Sequence, residues 1–168
     1  GWRLFTQISG ASEELFSSIT FTQFIANAKV VRSLGPVRLL LRAEAATTLT
    51  DELEELPASL RFFTGGDTSV RGYQYGTLGD LNEFGEVIGG KNLLTASVEI
   101  DFSVRPGWLG AVFYDTGNSF ADFGDMNLKQ SVGIGARWLS PIGPIRIDVA
   151  RSLSDNAFRL HVTMGPDL

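Results

Sequence analysis

The chain has 168 residues, a formal net charge of −5 and no cysteine. This length fits one domain, the acidic balance argues against a broad nucleic-acid-binding surface, and the missing thiols exclude a disulfide framework or a thiolate metal site. No apolar run approaches the roughly 18–20 residues of a membrane-spanning helix. The chain begins at Gly1 and Trp2, without an initiating Met or a signal peptide, so we expect an excised piece or a mature segment.

Period-two alternation of apolar and polar residues predicts about eight antiparallel strands and an all-β fold. The first three strands are predicted at residues 2–9, 18–32 and 37–45, where the alternation is noisy. The last five are predicted at residues 94–104, 108–117, 131–138, 144–149 and 158–164.

The strand at 94–104 has the cleanest pattern of all. One face is entirely apolar and the opposite face, which carries Glu99 and Asp101, is entirely polar. Because strand side chains alternate between faces, this strand is expected to separate two different environments. The members of the apolar face are Leu94, Ala96, Val98, Ile100, Phe102 and Val104.

Strand length and loop length together favour a transmembrane β-barrel. Strands near ten residues suit a tilted membrane strand, which needs about 9–11 residues. Short connections alternate with long ones at 49–90 and 118–128, as tight periplasmic turns alternate with outer loops. Candidates for aromatic girdles are Trp2, Trp108, Tyr114 and Trp138. The alternative is a soluble β-sandwich or lipocalin-like barrel, because alternation alone does not say which face points outward.

The connection at 49–90 is the most informative segment. Structureless loops longer than about 12–15 residues are uncommon in compact domains, and this one carries many large apolar side chains that need a surface to pack against. Its glycines Gly65, Gly66 and Gly72 permit tight turns, and Arg71 offers five donors in a fixed fork. An acidic stretch at 51–57 is expected to be a solvated turn or a short helix.

Two acids on the predicted polar faces are candidate partners of this arginine. Glu99 and Asp115 both lie on strands that follow the loop. We expect Arg71 to reach into the barrel lumen and to pair with Glu99, Asp115 or both. An ordinary glycine turn with a solvated Arg71 is equally compatible with the spacing.

The chain shows no constellation for catalysis or for a cofactor. His161 is the only histidine, on a polar strand face, where a lumen-wall residue is expected rather than a catalyst. Gly66 and Gly72 are not followed by the Gly-Lys-Ser/Thr of a phosphate loop. We therefore predict no enzyme activity, no catalytic residue, no metal and no cofactor.

Several of these segments resemble the bacterial surface-antigen superfamily of outer-membrane barrels, the BamA/TamA family. The lumen-loop signature of that superfamily is similar to residues 61–73, its second motif to residues 113–117, and its acidic strand position to Glu99. Residues 89–92, 132–148 and the ending at 164–168 look closest to the TamA-like branch.

The resemblance implies that residues 1–168 are the C-terminal half of a sixteen-stranded outer-membrane barrel, with loop 49–90 in the lumen. It implies a loop motif of Gly65, Gly66, Val70, Arg71, Gly72 and Tyr73, anchored by Glu99, Asp115 and Gly117. It implies a protein of the bacterial outer membrane that lies in lipid. Such a protein is expected to help insert or secrete autotransporters and other barrel clients. Its expected partner is a TamB-like protein anchored in the inner membrane. The implied mechanism is an opening seam between the first and last strands of the barrel, with local thinning of the bilayer.

Two other functions and the state of the strand edges stay open at this point. A two-partner secretion transporter of the same superfamily and a passive porin-like channel are the alternatives to assembly. Unpaired edges are intolerable in lipid, so the eight strands either close on themselves or pair through their edges, with edge pairing favoured.

Overall fold

The computed structural model describes residues 1–12, 19–50, 53, 56–141 and 143–165. Within these residues the chain forms ten β-strands and two short 3₁₀ helices, Ala58–Leu60 and Phe123–Asp125. The strands are β1 (Trp2–Ala11), β2 (Phe21–Leu34), β3 (Val37–Leu49), β4 (Asp80–Leu81), β5 (Val87–Gly89), β6 (Asn92–Arg105), β7 (Trp108–Phe120), β8 (Lys129–Ser140), β9 (Gly143–Ser152) and β10 (Phe158–Met164). Within these ranges, no helix combines the length and hydropathy needed to cross a bilayer.

Eight of the strands form one antiparallel sheet in the order β1-β2-β3-β6-β7-β8-β9-β10. Each strand except β6 thus lies beside its predecessor in the sheet, and the long connection between β3 and β6 leaves the sheet and returns to it. β4 and β5 pair with each other, as a small hairpin inside that connection. The expected all-β, antiparallel fold class with about eight strands is confirmed.

The tight connections follow from their residues. Arg105 pairs with Trp108 across a two-residue turn, and Gly107 has a φ of 78°, in the left-handed region that favours glycine. Residues 13–18, between β1 and β2, lie outside the described residues, and the acidic stretch at 51–57 and the ending at 164–168 lie partly outside them.

Burial is inverted relative to a water-soluble protein. On β6 the apolar residues Val98 and Ile100 are 44% and 40% exposed, whereas Glu99 and Asp101 are each 1% exposed. The same inversion holds on β7, where Val112 is exposed and Asp115 is buried. The soluble-sandwich alternative is therefore wrong, since its apolar stripes would pack against each other.

The long connection folds back over the polar face of the sheet. It returns along itself through bridges between Phe62 and Gly90 and between Thr64 and Leu78. Gln23 of β2 donates a hydrogen bond of 2.9 Å to the carbonyl oxygen of Leu60, which fixes the start of the connection on that face. The loop, rather than a second sheet, covers the polar side chains.

The predicted aromatic girdle is only partly correct. Trp108 and Trp138 face each other in the ladder and stack with ring centroids 5.9 Å apart, beside the short turns. Tyr114 lies six residues along β7 from Trp108, opposite Val98 and Val132, which is about 20 Å away at the rise of a strand. Tyr114 therefore belongs to the middle of the apolar face.

Candidate functional site

The tip of the long connection is a tight bend that presents one arginine to the sheet. Gly65 and Gly66 have φ values of 105° and 95°, which favour glycine. The amide of Gly66 donates to the carbonyl oxygen of Tyr73 at 3.0 Å, which closes the bend. Between these residues the amide of Tyr73 donates to the carbonyl oxygen of Val70 at 3.1 Å, so Arg71 lies at the apex of a turn.

Arg71 contacts three carboxylates from three different strands. Its Nε and Nη2 donate to the two oxygens of Asp115 on β7 at 2.8 and 2.9 Å, and its backbone amide donates to Asp115 at 3.1 Å. Its Nη1 donates to Glu99 of β6 at 2.7 Å and to Asp148 of β9 at 3.1 Å. The two-pronged contact with Asp115 matches the planar fork of a guanidinium.

The wall beneath Arg71 supports it on the remaining sides. The guanidinium carbon lies 3.3 Å from the ring centroid of Phe113, a cation–π contact. The hydroxyl of Ser97 donates to Asp115 at 2.6 Å, which leaves that carboxylate oriented toward the loop. Arg71 itself is 3% exposed.

A second buried arginine completes the network. Arg137 of β8 donates to Glu99 at 2.8 Å and also to Asp148. Glu99 therefore bridges two guanidinium groups, and so does Asp148. Among the described residues, Arg38, Arg42, Arg71 and Arg137 each lie within 4.0 Å of a carboxylate of this network, whose acids are Glu99, Asp101, Asp115 and Asp148.

The balance of charges keeps Arg71 protonated. Burial alone disfavours the charged form, but the hydrogen bonds and charges of Asp115 and Glu99 outweigh it and raise the pKa of Arg71 above its ordinary value. Removing one partner from such a network leaves an uncompensated buried charge, which costs far more than the pair contributes.

The residues beside Arg71 dock the tip onto β8 and onto the connection that follows β9. Val70, Tyr73 and Leu78 form a small buried apolar cluster. The hydroxyl of Tyr73 lies 3.0 Å from Oγ of Ser154, and it also donates to the carbonyl oxygen of Gln130 at 3.3 Å.

Gly72 acts differently from the tight-turn role expected of it. Its φ lies outside the left-handed region that Gly65 and Gly66 occupy. Instead, a Cβ at this position would lie 2.5 Å from Cβ of Ser131 and 2.8 Å from the amide of Ser152. Glycine is required here because the loop backbone approaches the sheet closely.

Gly117 and His161 lie on the strands that surround the loop tip. Gly117 pairs with Thr95 in the ladder, and a Cβ there would lie 2.7 Å from the carbonyl oxygen of Leu94 and 2.8 Å from the side chain of Thr95. His161 of β10 hydrogen-bonds through Nε2 to the backbone carbonyl oxygen of Arg71. The expected place of His161 on the polar face is therefore correct, and its contact with the loop backbone is the part that the strand pattern does not predict.

The arrangement binds the loop and orients it against the sheet. Within the described parts of the chain, no three His, Cys, Asp or Glu side chains are grouped to hold a metal ion. The three acids around Arg71 already accept hydrogen bonds from guanidinium groups. The site therefore holds a loop against a wall.

A sheet with an apolar outer face, a charged inner face and a loop clamped to the inner face defines a segment of an outer-membrane β-barrel. The Omp85 superfamily domain matches residues 1–166. The chain belongs to the Omp85 superfamily, and its place is the outer membrane.

Individual proteins are similar to this chain over most of its length. The outer membrane protein assembly factor BamA of Nitratidesulfovibrio vulgaris is 29% identical over 159 residues, which are 86% of this chain. The chloroplastic outer envelope protein 80 of Arabidopsis thaliana is 27% identical over 88% of it. BamA of Neisseria meningitidis serogroup B is 30% identical over 60% of it.

A solved structure has the same fold. The crystal structure of BamA from Haemophilus ducreyi lacking POTRA domains 1–3 matches 97% of this chain with a TM-score of 0.70 at 21% identity. The match covers 38% of that structure, and this chain spans 20%, 20% and 17% of the three curated relatives.

Proposed function

We propose that this chain is part of a barrel that helps to insert β-barrel proteins into the outer membrane, without catalysis. Residues 1–168 are then the C-terminal part of the barrel domain, and 49–90 is its lumen loop. Membership of the superfamily and the similarity to proteins named as assembly factors support this proposal. The observation that carries it is the burial of Arg71 among carboxylates of β6, β7 and β9.

The contacts that Arg71 and Tyr73 make with the sheet, together called the clamp, tie one loop to the strands β6 to β10. Its contacts reach β6, β7 and β9 through Arg71, β8 through Tyr73, and β10 through His161 and the Arg71 carbonyl. A wall held in one register in this way can stay rigid while an edge beside it opens. In the described sheet β10 is an edge strand, and the unpaired backbone groups of an edge strand are a template for another strand.

This geometry argues against a passive pore. In a porin the lumen face is polar and open to water. Here the loop buries the polar wall, since Glu99, Asp115 and Ser131 are at most 1% exposed. The loop therefore occupies space that a wide channel would leave free.

The test compares Arg71→Ala and Arg71→Lys in the full-length protein, with Arg3→Ala on β1 as the control. The readout is the fraction of a barrel client that reaches its folded, heat-modifiable form at equal amounts of the factor. We expect Arg71→Ala to lower that fraction strongly, Arg71→Lys to lower it less because a lysine lacks the two-pronged fork, and Arg3→Ala to leave it unchanged. Steady conductance in every variant, with client folding unaffected, would instead support the porin.

The TamA-like assignment is a narrower part of the same proposal. The residues at 89–92 and 132–148 support it, whereas two of the three relatives reported above carry the name BamA. On this proposal the clients include autotransporters and a TamB-like protein is the partner. Site-specific cross-linking that captures a TamB-like protein would support it, and capture of a single exported soluble passenger would favour the two-partner secretion transporter.

A further inference from the structure

The apolar face of the sheet is not smooth. Near the end that carries the long connections, it forms a groove with a cavity volume of about 480 Å³. The floor of the groove is made of small side chains, because Ala26 and Ala45 face each other across β2 and β3. Larger side chains surround this floor: Ile8 of β1, Phe24 of β2 and Leu94 of β6.

Two polar side chains at this end of the groove, Thr47 and Asn92, are hydrogen-bonded within the protein. The hydroxyl of Thr47 donates to Oδ1 of Asn92 at 2.7 Å. The amide nitrogen of Asn92 donates to the carbonyl oxygens of Phe120 and Ala121 at 3.3 and 2.7 Å. A ligand that brings its own hydrogen-bonding groups would gain little here, so the groove favours an apolar occupant.

An aromatic pair forms the rim at the long-loop end. Phe120 is buried, and Phe123 of the following 3₁₀ helix packs edge-on against it with ring centroids 5.3 Å apart. Phe123 remains 70% exposed. Its open side therefore still offers contact area to a molecule lying in the groove.

From this geometry we infer that the groove seats one acyl chain of an outer-leaflet lipid. The groove lies on the face that meets the bilayer, and long connections mark the outer side of an outer-membrane barrel. Its volume falls within the range of about 300–1,000 Å³ typical of small-ligand sites. The alanine floor lets a methylene chain approach the backbone, where it gains dispersion contacts that a flat wall does not give. This inference rests on the fold and the membrane location, and it holds whether or not the barrel assembles other proteins.

The test uses the full-length protein in lipid nanodiscs that contain a phospholipid with a photoreactive diazirine in its acyl chain. After illumination, mass spectrometry maps the labelled residues. Phe24, Leu94 and Val112 are 39%, 37% and 42% exposed on the same face, so a uniform lipid solvent would label them alike. A seated chain will label Phe24 and Leu94 several-fold more than Val112, which lies outside the groove.

A variant whose new side chain fills the groove provides the second part of the test. Ala45→Phe is expected to reduce labelling of Phe24 and Leu94 several-fold, whereas Val112→Phe on the same face is expected to leave that labelling unchanged. Ala26→Leu replaces Ala45→Phe if the latter fails to give the heat-modifiable form of the folded barrel. Even labelling across the face, labelling that a filled groove does not change, or groove residues cross-linked to polypeptide instead of lipid would overturn the inference.

Discussion

The middle of the sheet buries charged side chains, whereas its first edge strand leaves large apolar side chains exposed. Under the loop tip, Glu99 and Asp115 are 1% and 0% exposed and are paired with guanidinium groups. On β1, Leu4 and Phe5 point to opposite faces, yet they are 59% and 49% exposed. The polar face of the sheet is therefore buried only where the loop covers it.

The contrast shows what each region depends on. The middle of the sheet buries carboxylates that are too costly to leave unpaired. It therefore depends on Arg71 of the loop for a second guanidinium beside that of Arg137. The edges carry unpaired backbone groups that lipid does not tolerate, so they depend on strands outside this chain or on edge pairing. Within the described residues β1 and β10 are the two ends of an open sheet, and closure of these eight strands on themselves is not what the structure has.

The largest effect is expected from removing the clamp. Arg71→Ala leaves Asp115 without its fork and Glu99 and Asp148 with one guanidinium between them. A buried pair broken in this way costs about 3–5 kcal/mol. Denaturant unfolding of the full-length barrel in phospholipid measures the loss, and Arg3→Ala on β1, outside the Arg71 network, is expected to change the free energy of unfolding by less than about 0.5 kcal/mol. Equal losses in the two variants would erase the distinction between middle and edge.

A smaller effect is expected from crowding the contact between loop and wall. Gly72→Ala places a Cβ 2.5 Å from that of Ser131, and such overpacking costs about 1–3 kcal/mol. Gly124→Ala is the matched control, because a Cβ there meets nothing within 4 Å. The same unfolding experiment compares the two. A neutral Gly72→Ala would mean that the tip does not press against β8 and β9 in the membrane.

The smallest effect is expected where the tip reaches the edge strand. His161→Ala removes one hydrogen bond to the Arg71 carbonyl, which is worth about 0.5–1.5 kcal/mol. Thr163→Ala lies on the same strand and the same face and is expected to be nearly neutral. Proteolysis of loop 49–90 gives a second readout, since a loosened tip is cut faster. Identical rates in the two variants would show that β10 does not help to hold the tip.

The strands could be predicted from the sequence wherever the alternation is strict. The strand at 94–104 is such a case, and β6 differs from it only at its ends. The strand at 144–149 was predicted too short, because Ala150 and Ser152 of β9 are small residues without apolar or polar contrast. The β4–β5 hairpin was missed because its strands have two and three residues, too few for a period to show.

Some residues of the candidate site can be predicted from the sequence, and others cannot. Arg71, Glu99 and Asp115 were singled out from the sequence, and the structure brings these three together. Arg137 and Asp148 were missed as members, although each lies on a polar strand face. Which strand residues lie close to Arg71 depends on the register between neighbouring strands. The alternation within one strand gives no information about that register.

The most direct test of the clamp is a charge swap in the full-length protein, with client folding and the free energy of unfolding as readouts. Arg71→Asp puts a fourth carboxylate beside Glu99, Asp115 and Asp148, so we expect severe loss of both. Adding Asp115→Arg returns a guanidinium to the same cluster, and we expect it to restore part of both. A double variant no better than Arg71→Asp alone, with a Glu99→Arg partner giving no recovery either, would contradict the account.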